Sequence, residues 1–133
     1  MAANISSRIV VDASAVLSFI FPDESTPKGV LTAFRKASKN LIVLTAPTLL
    51  CYEIGNAIRS AVKQKRINKL TATSIIEIFY QLKIVYLDPN INDIIFLSLK
   101  YNLSFYDASY LSLAKEKNAK LLTLDKKLLA CKP

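Results

Sequence analysis

Four acidic side chains, Asp12, Glu53, Asp107 and Asp125, stand where they could hold a divalent cation. Asp12 follows the apolar run Ile9-Val10-Val11, Asp107 follows Ser104-Phe105-Tyr106, and Asp125 closes Leu121-Leu122-Thr123-Leu124. Acids are scarce in this chain: 10 Asp and Glu stand against 18 Lys and Arg, for a net charge of +8. Scarce carboxylates at the ends of core elements in a basic chain point to a cation held against a polyanion. Each acid also has an ordinary role open to it. Asp12, Asp107 and Asp125 could cap helices, and Glu53 could be solvated or paired with a lysine. Four carboxylates gathered within ~5 Å would repel by roughly 3 kcal/mol per pair at an effective dielectric of about 20. A hard cation offsets that repulsion, and Mg²⁺ needs only one or two direct carboxylates beside its waters.

Polar neighbours are available to support such a site. Ser14 lies two residues after Asp12, where it could orient the carboxylate, hold a water or cap a helix. Asn56 lies three residues after Glu53, hence on the same side of a helix. Thr123 precedes Asp125 by two, which in a continuous strand puts both on one side. Gly55, within the same helix as Glu53, suggests a close backbone approach, since glycine there costs about 1 kcal/mol relative to alanine. Arg59, Lys63 and Arg66 follow i, i+4, i+7 spacing and could track a phosphate backbone. Tyr52, Tyr106 and Tyr110 read as core residues or cleft walls rather than as platforms for bases. The chain has no histidine, so catalytic triads, Cys-His pairs and paired-histidine RNA cleavage are excluded. Cys51 and Cys131, without a local pairing pattern, read as free thiols.

Short apolar runs alternate with helical stretches. Strands are expected at Ile9 to Val11, Leu41 to Leu44, Ile84 to Leu87 and Leu121 to Leu124. Helices are expected from Ala13 to Phe21, stopped by Pro22, from Pro27 to near Asn40, and from Pro47 to about Arg66. Others run from a Thr71 cap to Leu82, from Asn92 to Tyr101, from Asp107 to Lys117 and from Lys126 to Leu129. The long helix after Pro47 carries the apolar stripe Leu50, Ile54, Ala57, Ile58, Ala61. This pattern predicts an α/β fold of three layers, a short parallel sheet with helices on both faces, in one domain over residues 1–133. With only 2 glycines there is no phosphate-binding glycine loop. No apolar run reaches the ~18 residues of a membrane span, and Met1-Ala2-Ala3-Asn4 shows no secretory signal, so a cytoplasmic protein is expected. In such sheets ligands bind beyond the carboxyl ends of the strands, where strand order reverses. That puts Asp12 and Asp125 at one cleft.

At these residues the chain resembles the PIN-domain ribonucleases, above all the VapC-like toxins of toxin–antitoxin pairs. The matching segments are Val10-Val11-Asp12-Ala13-Ser14-Ala15, Tyr52-Glu53-Ile54-Gly55-Asn56-Ala57, Tyr106-Asp107-Ala108-Ser109-Tyr110-Leu111-Ser112-Leu113-Ala114 and Leu121-Leu122-Thr123-Leu124-Asp125. The resemblance implies a PIN-like fold and a metal-dependent endoribonuclease. Asp12, Glu53, Asp107 and Asp125 match the family's acidic quartet, and Ser14, Asn56 and Thr123 its supporting positions. It also implies an RNA substrate, an antitoxin partner and a homodimer, to which surplus apolar surface on the helices at 27–39 and 71–82 would contribute. The expected mechanism places Mg²⁺ or Mn²⁺ at Asp12 and Asp107, with Glu53 and Asp125 acting directly or through water, and water attacking the phosphodiester in line. The chain departs from the family after its last acid, where a further short strand is common and only Lys126 to Pro133 remain. A non-cleaving RNA-binding or regulatory module of the same fold is the alternative. A phosphatase using Asp12 as nucleophile is disfavoured because Ser14 stands where a second acid is usual.

Overall fold

The computed structural model describes residues 7–131. Residues 1–6, 132 and 133 lie outside it, and with them the expectation for Met1-Ala2-Ala3-Asn4. Four parallel strands form one sheet: β1 Ser7–Val11, β2 Ile42–Ala46, β3 Val85–Tyr86 and β4 Lys120–Leu122, in the order β3-β2-β1-β4. Among the described residues seven helices flank it: α1 Ala13–Ile20, α2 Lys28–Ser38, α3 Leu49–Lys63, α4 Lys69–Gln81, α5 Ile91–Tyr101, α6 Phe105–Glu116 and α7 Lys126–Leu129.

The chain builds outward from β1 through β2 to β3, then returns to lay β4 on the other side of β1. Strand order therefore reverses between β1 and β4, and a crevice opens beyond their carboxyl ends. Val10 and Val11 pair with Leu121 and Leu122 there, and the ladder extends one step further through the Asp12 N–H, which donates to the Leu122 carbonyl at 3.2 Å.

Burial explains why the elements sit where they do. Val10 and Val11 are fully enclosed, as are Leu50 and Ile54 on the inner stripe of α3, and Val30 and Phe34 on that of α2. A second apolar cluster joins α5, α6 and α7 through Ile94, Leu97, Leu103, Ala108, Leu111 and Leu128. No helix is long and apolar enough to cross a membrane among the described residues.

Local chemistry moved several boundaries. Asn68, not Thr71, caps α4: its side-chain oxygen accepts the Thr71 N–H at 2.8 Å. Helix α6 begins at Phe105, before Asp107, because Ser104 accepts the Asp107 N–H at 3.0 Å. β4 stops at Leu122, so Thr123 and Asp125 belong to the turn leaving the sheet and not to one side of a continuous strand. Among the described residues no strand follows Asp125, and β4 is the sheet edge. Gly55 meets nothing within 4 Å where a Cβ would be, so no close approach requires it.

Candidate active site

The end of β1 and the exit from β4 are tied together through side chains. Asp12 caps α1 by accepting the Ala15 N–H on Oδ1 at 3.1 Å, and the same oxygen accepts from Ser14 Oγ at 2.7 Å. The other oxygen, Oδ2, accepts a short hydrogen bond from the Thr123 hydroxyl. Ser14 Oγ in turn accepts the Leu124 N–H at 2.9 Å, and Thr123 Oγ1 accepts the Asp125 N–H at 3.0 Å. Two hydroxyls thus donate inward to Asp12 while accepting from the backbone that carries Asp125. Asp125 itself caps α7, its Oδ1 taking the N–H groups of Lys127 and Leu128 at 2.8 and 3.4 Å. The ordinary capping roles of Asp12 and Asp125 are therefore present, and they orient the carboxylates at the crevice.

Glu53 and Asp107 form the opposite side. Glu53 lies in the second turn of α3, beside the buried stripe. Tyr110, one turn after Asp107 on α6, is 1% exposed and donates its hydroxyl to Glu53 Oε1 at 2.5 Å. That bond joins α3 to α6 and brings the two acids near each other, since Asp107 and Tyr110 share a helix face. Asn56 does not take this part: it is exposed, and Tyr110 is the partner of Glu53.

Burial pushes the Asp12 carboxyl above its ordinary range, and the charge of Asp125 pushes it further, against the lowering pull of its three hydrogen-bond donors. Burial likewise raises Glu53, against the Tyr110 hydrogen bond and with the charges of Asp107 and Asp12. Burial and the neighbouring Glu53 raise the Tyr110 phenol, which stays a hydrogen-bond donor. Asp12 and Glu53 thus each sense other acids of the quartet. Among the described residues, however, no three of them stand close enough to make a preformed metal cage. The donor set still suits a hard cation. It is all oxygen, and burial with neighbouring charge raises two of its members, Asp12 and Glu53. Asp12 and Asp107, with Glu53 and Asp125 directly or through water, are the residues that would hold the ion.

The basic stripe is shorter than its spacing suggested. Helix α3 ends at Lys63, and Arg66 lies beyond it. The Arg66 guanidinium is held by Asp23 at 2.6 Å and Glu24 at 3.1 Å, and stacks 4.5 Å over the Phe21 ring. It ties the loop after α1 to the loop after α3. Arg59 and Lys63 remain exposed on α3, roughly 9 Å and 15 Å along the axis from Glu53 at about 1.5 Å per residue.

Two contributors escaped sequence reasoning. One is Tyr110 as the holder of Glu53, a contact across 57 positions with no local signal. The other is Ser104, whose place three residues before Asp107 is the spacing of a capping box and could have been read. Of the two roles expected for Tyr52 and Tyr106, the structure gives cleft walls and not core: they are 76% and 61% exposed and line a groove.

Comparison with known proteins agrees with this architecture. The PIN domain profile matches residues 9–131. Ribonuclease VapC3 of Pyrobaculum aerophilum is 29% identical over 125 residues, covering 91% of this chain and 92% of the relative. Ribonuclease VapC1 of Mycobacterium tuberculosis is 32% identical over 124 residues, covering 91% of this chain and 88% of the relative. Among solved structures, PAE2754 from Pyrobaculum aerophilum superposes with a TM-score of 0.72 at 25% identity, over 95% of this chain and 86% of that one. The chain belongs to the PIN-domain family.

Proposed function

We propose that this protein is a metal-dependent endoribonuclease, the toxin of a toxin–antitoxin pair, that cuts RNA phosphodiesters with water at the Asp12, Glu53, Asp107 and Asp125 crevice. The observation that carries this reading is the hydrogen-bonded set of Asp12, Ser14, Thr123 and Asp125 facing Glu53 and Asp107 across the switch point of the sheet. Family membership and relatives named as VapC ribonucleases support it. A bound Mg²⁺ or Mn²⁺ supplies a water acidic enough to attack at neutral pH and positive charge beside the phosphate oxygens. Ser14 and Thr123 fix both oxygens of Asp12, Tyr110 fixes one oxygen of Glu53, and Asp125 is steadied by its own cap. Arg59 and Lys63 attract the phosphate backbone of the substrate, while Arg66 steadies the adjoining loops.

The proposal extends to a cytoplasmic setting and to protein partners. Of the two helices expected to carry surplus apolar surface, α2 buries Val30, Ala33 and Phe34, whereas α4 leaves Leu70, Ile76, Ile78 and Tyr80 exposed; α5 adds Ile95, Phe96 and Leu99. A second copy and an antitoxin are the partners we assign to such surface. Sedimentation is expected to show a dimer; a stable monomer at low concentration removes that part.

The decisive experiment is RNA digestion with and without EDTA, comparing wild type with Asp107→Asn. Cleavage in Mg²⁺ or Mn²⁺, lost with EDTA and lost in the variant, is expected. Cleavage that survives both overturns the reading. The alternative is a non-cleaving RNA-binding module of the same fold. A Mn²⁺ titration separates the two, because only the enzyme needs affinity for the ion.

A further inference from the structure

Beside the carboxylates runs a mainly apolar groove of about 440 Å³, walled by Pro47, Thr48, Tyr52, Asp88, Phe105 and Tyr106. Two of its walls are the chain neighbours of the acids: Tyr52 immediately precedes Glu53, and Tyr106 immediately precedes Asp107. The groove therefore adjoins the turns of α3 and α6 that carry Glu53 and Asp107. Phe105 and Tyr106 stand nearly perpendicular, at 88° with ring centres 6.4 Å apart, and form a corner of two aromatic walls. Resting on the proposed ribonuclease function, we infer that this groove is a base-binding subsite, in which one unpaired nucleobase flanking the scissile phosphate stacks on Tyr52 and Tyr106.

Three observations favour a base over an apolar peptide. The first is solvent exposure of large aromatic faces in a basic chain whose other exposed groups suit a polyanion; every base has a π-face, so aromatic platforms of this kind suit single-stranded nucleic acid. The second is alignment. Tyr52, Asn56, Arg59 and Lys63 recur at i, i+4, i+7 and i+11 and are all exposed, so they share one outer face of α3. A strand whose phosphates follow Lys63 and Arg59 arrives with a base at Tyr52 and its next phosphate at Glu53. The third is a fixed polar handle at the groove wall. The Asp88 carboxylate is oriented by the Thr48 N–H at 2.9 Å and by the Thr48 hydroxyl at 3.0 and 3.1 Å. As a carboxylate it only accepts hydrogen bonds, so it favours base edges that donate. A duplex cannot offer a splayed base, so the subsite selects single-stranded RNA.

The test is an abasic scan. Single-stranded RNA oligonucleotides, each lacking one base near the cut, are digested in Mg²⁺ by wild type, by Tyr52→Ala/Tyr106→Ala and by Tyr52→Phe/Tyr106→Phe. In the wild type, one abasic position is expected to lower kcat/KM by roughly 5- to 150-fold, mostly through KM, as loss of one stacked base does. In the alanine variant the intact RNA is cut that much less well, and removing the same base costs nothing more. The phenylalanine variant, which keeps the stack, responds as the wild type does and shows that the scaffold tolerates change at both positions. If wild type cuts RNA and no abasic position loses its effect in the alanine variant, the subsite is refuted while the ribonuclease stands. If the alanine variant cuts intact RNA as well as wild type and loses only affinity for a protein partner, the groove belongs to that partner and the inference is overturned. If wild type cuts no RNA at all, the functional reading fails and takes this one with it.

Discussion

The two sides of the carboxylate crevice are built differently. On the β1–β4 side, Asp12 is 5% exposed and both of its oxygens are engaged, by Ser14, Ala15 and Thr123. The two hydroxyl donors, Ser14 and Thr123, are themselves anchored by the backbone N–H groups of Leu124 and Asp125 in the turn after β4. On the α3–α6 side, Glu53 has the single hydroxyl of Tyr110, and the Asp107 carboxylate makes no hydrogen bond among the described residues. One wall is fixed before anything binds; the other is half free. A site that must draw an ion together from separated carboxylates gains precision from the first wall and adjustment from the second. That division explains how four acids can share one crevice without a preformed cage among the described residues.

Breaking the fixed wall has the largest expected effect. Asp12→Asn keeps one acceptor oxygen for Ser14 and the Ala15 N–H, so folding by circular dichroism is expected to persist. RNA cleavage is expected to fall by more than the about 10- to 100-fold that loss of a supporting group costs. Unchanged cleavage would remove Asp12 from the mechanism. Thr123→Val deletes the donor to Asp12 Oδ2 and the acceptor for the Asp125 N–H together. It is expected to weaken metal affinity by about 10- to 100-fold, measured by Mn²⁺ titration. On the open wall, Tyr110→Phe removes only one hydrogen bond, from an acid with freedom to reorient, and is expected to cost less than Thr123→Val. A larger loss in Tyr110→Phe would invert the comparison and make α3–α6 the rigid side.

The raised carboxyls sharpen the contrast through pH. An acid whose folded pKa lies above its unfolded value stabilises the fold below the ordinary carboxylate pKa of about 4, and that stability is lost as pH rises through the folded value. Burial, above all, puts Glu53 in this class. Metal-free Glu53→Gln, which retains an acceptor for Tyr110, is therefore expected to melt higher than wild type at neutral pH. The gap closes as pH falls towards about 4. Saturating Mg²⁺ should reverse it, since only the wild type supplies the charge. A melting difference that ignores both pH and Mg²⁺ would mean that Glu53 does not face the other acids.

Much of this arrangement was legible in the sequence, for a physical reason. The four strands and seven helices follow from apolar period and flanking prolines, and burial in the parallel sheet makes runs such as Val10-Val11 plain. The place of Asp12 followed from the end of β1, whereas β4 stops at Leu122 and leaves Asp125 in the turn beyond it. What sequence could not settle was set by distant partners. Arg66 continued a helical spacing, but the helix had ended and Asp23, Glu24 and Phe21 claimed its side chain. Tyr52, Tyr106 and Tyr110 looked alike, yet only Tyr110 met a neighbour that buries it. Asn68 displaced Thr71 as a cap because an N-cap is set by which side chain reaches the third N–H, a choice among adjacent polar residues that composition leaves open. Charge reversal gives a direct check on the revised stripe: Arg59→Glu with Lys63→Glu is expected to weaken RNA binding and flatten its salt dependence, whereas Arg66→Ala should lower thermal stability and leave the salt slope alone.

The smallest effect is expected at Gly55, and it probes the open wall most gently. Gly55 sits inside α3, two residues after Glu53, on the exposed side. Its φ is not positive and a Cβ would meet nothing within 4 Å. Nothing in the fold therefore requires glycine, and its cost is the entropy of the unfolded chain. Gly55→Ala is expected to stabilise the protein by about 0.4–1 kcal/mol in urea unfolding, with the m-value unchanged. A methyl that meets nothing leaves Glu53 and its Tyr110 contact in place, so metal affinity should stay at the wild-type value. A drop in metal affinity alongside the gain in stability would place the adjustment of this wall in the helix backbone instead of in the acid.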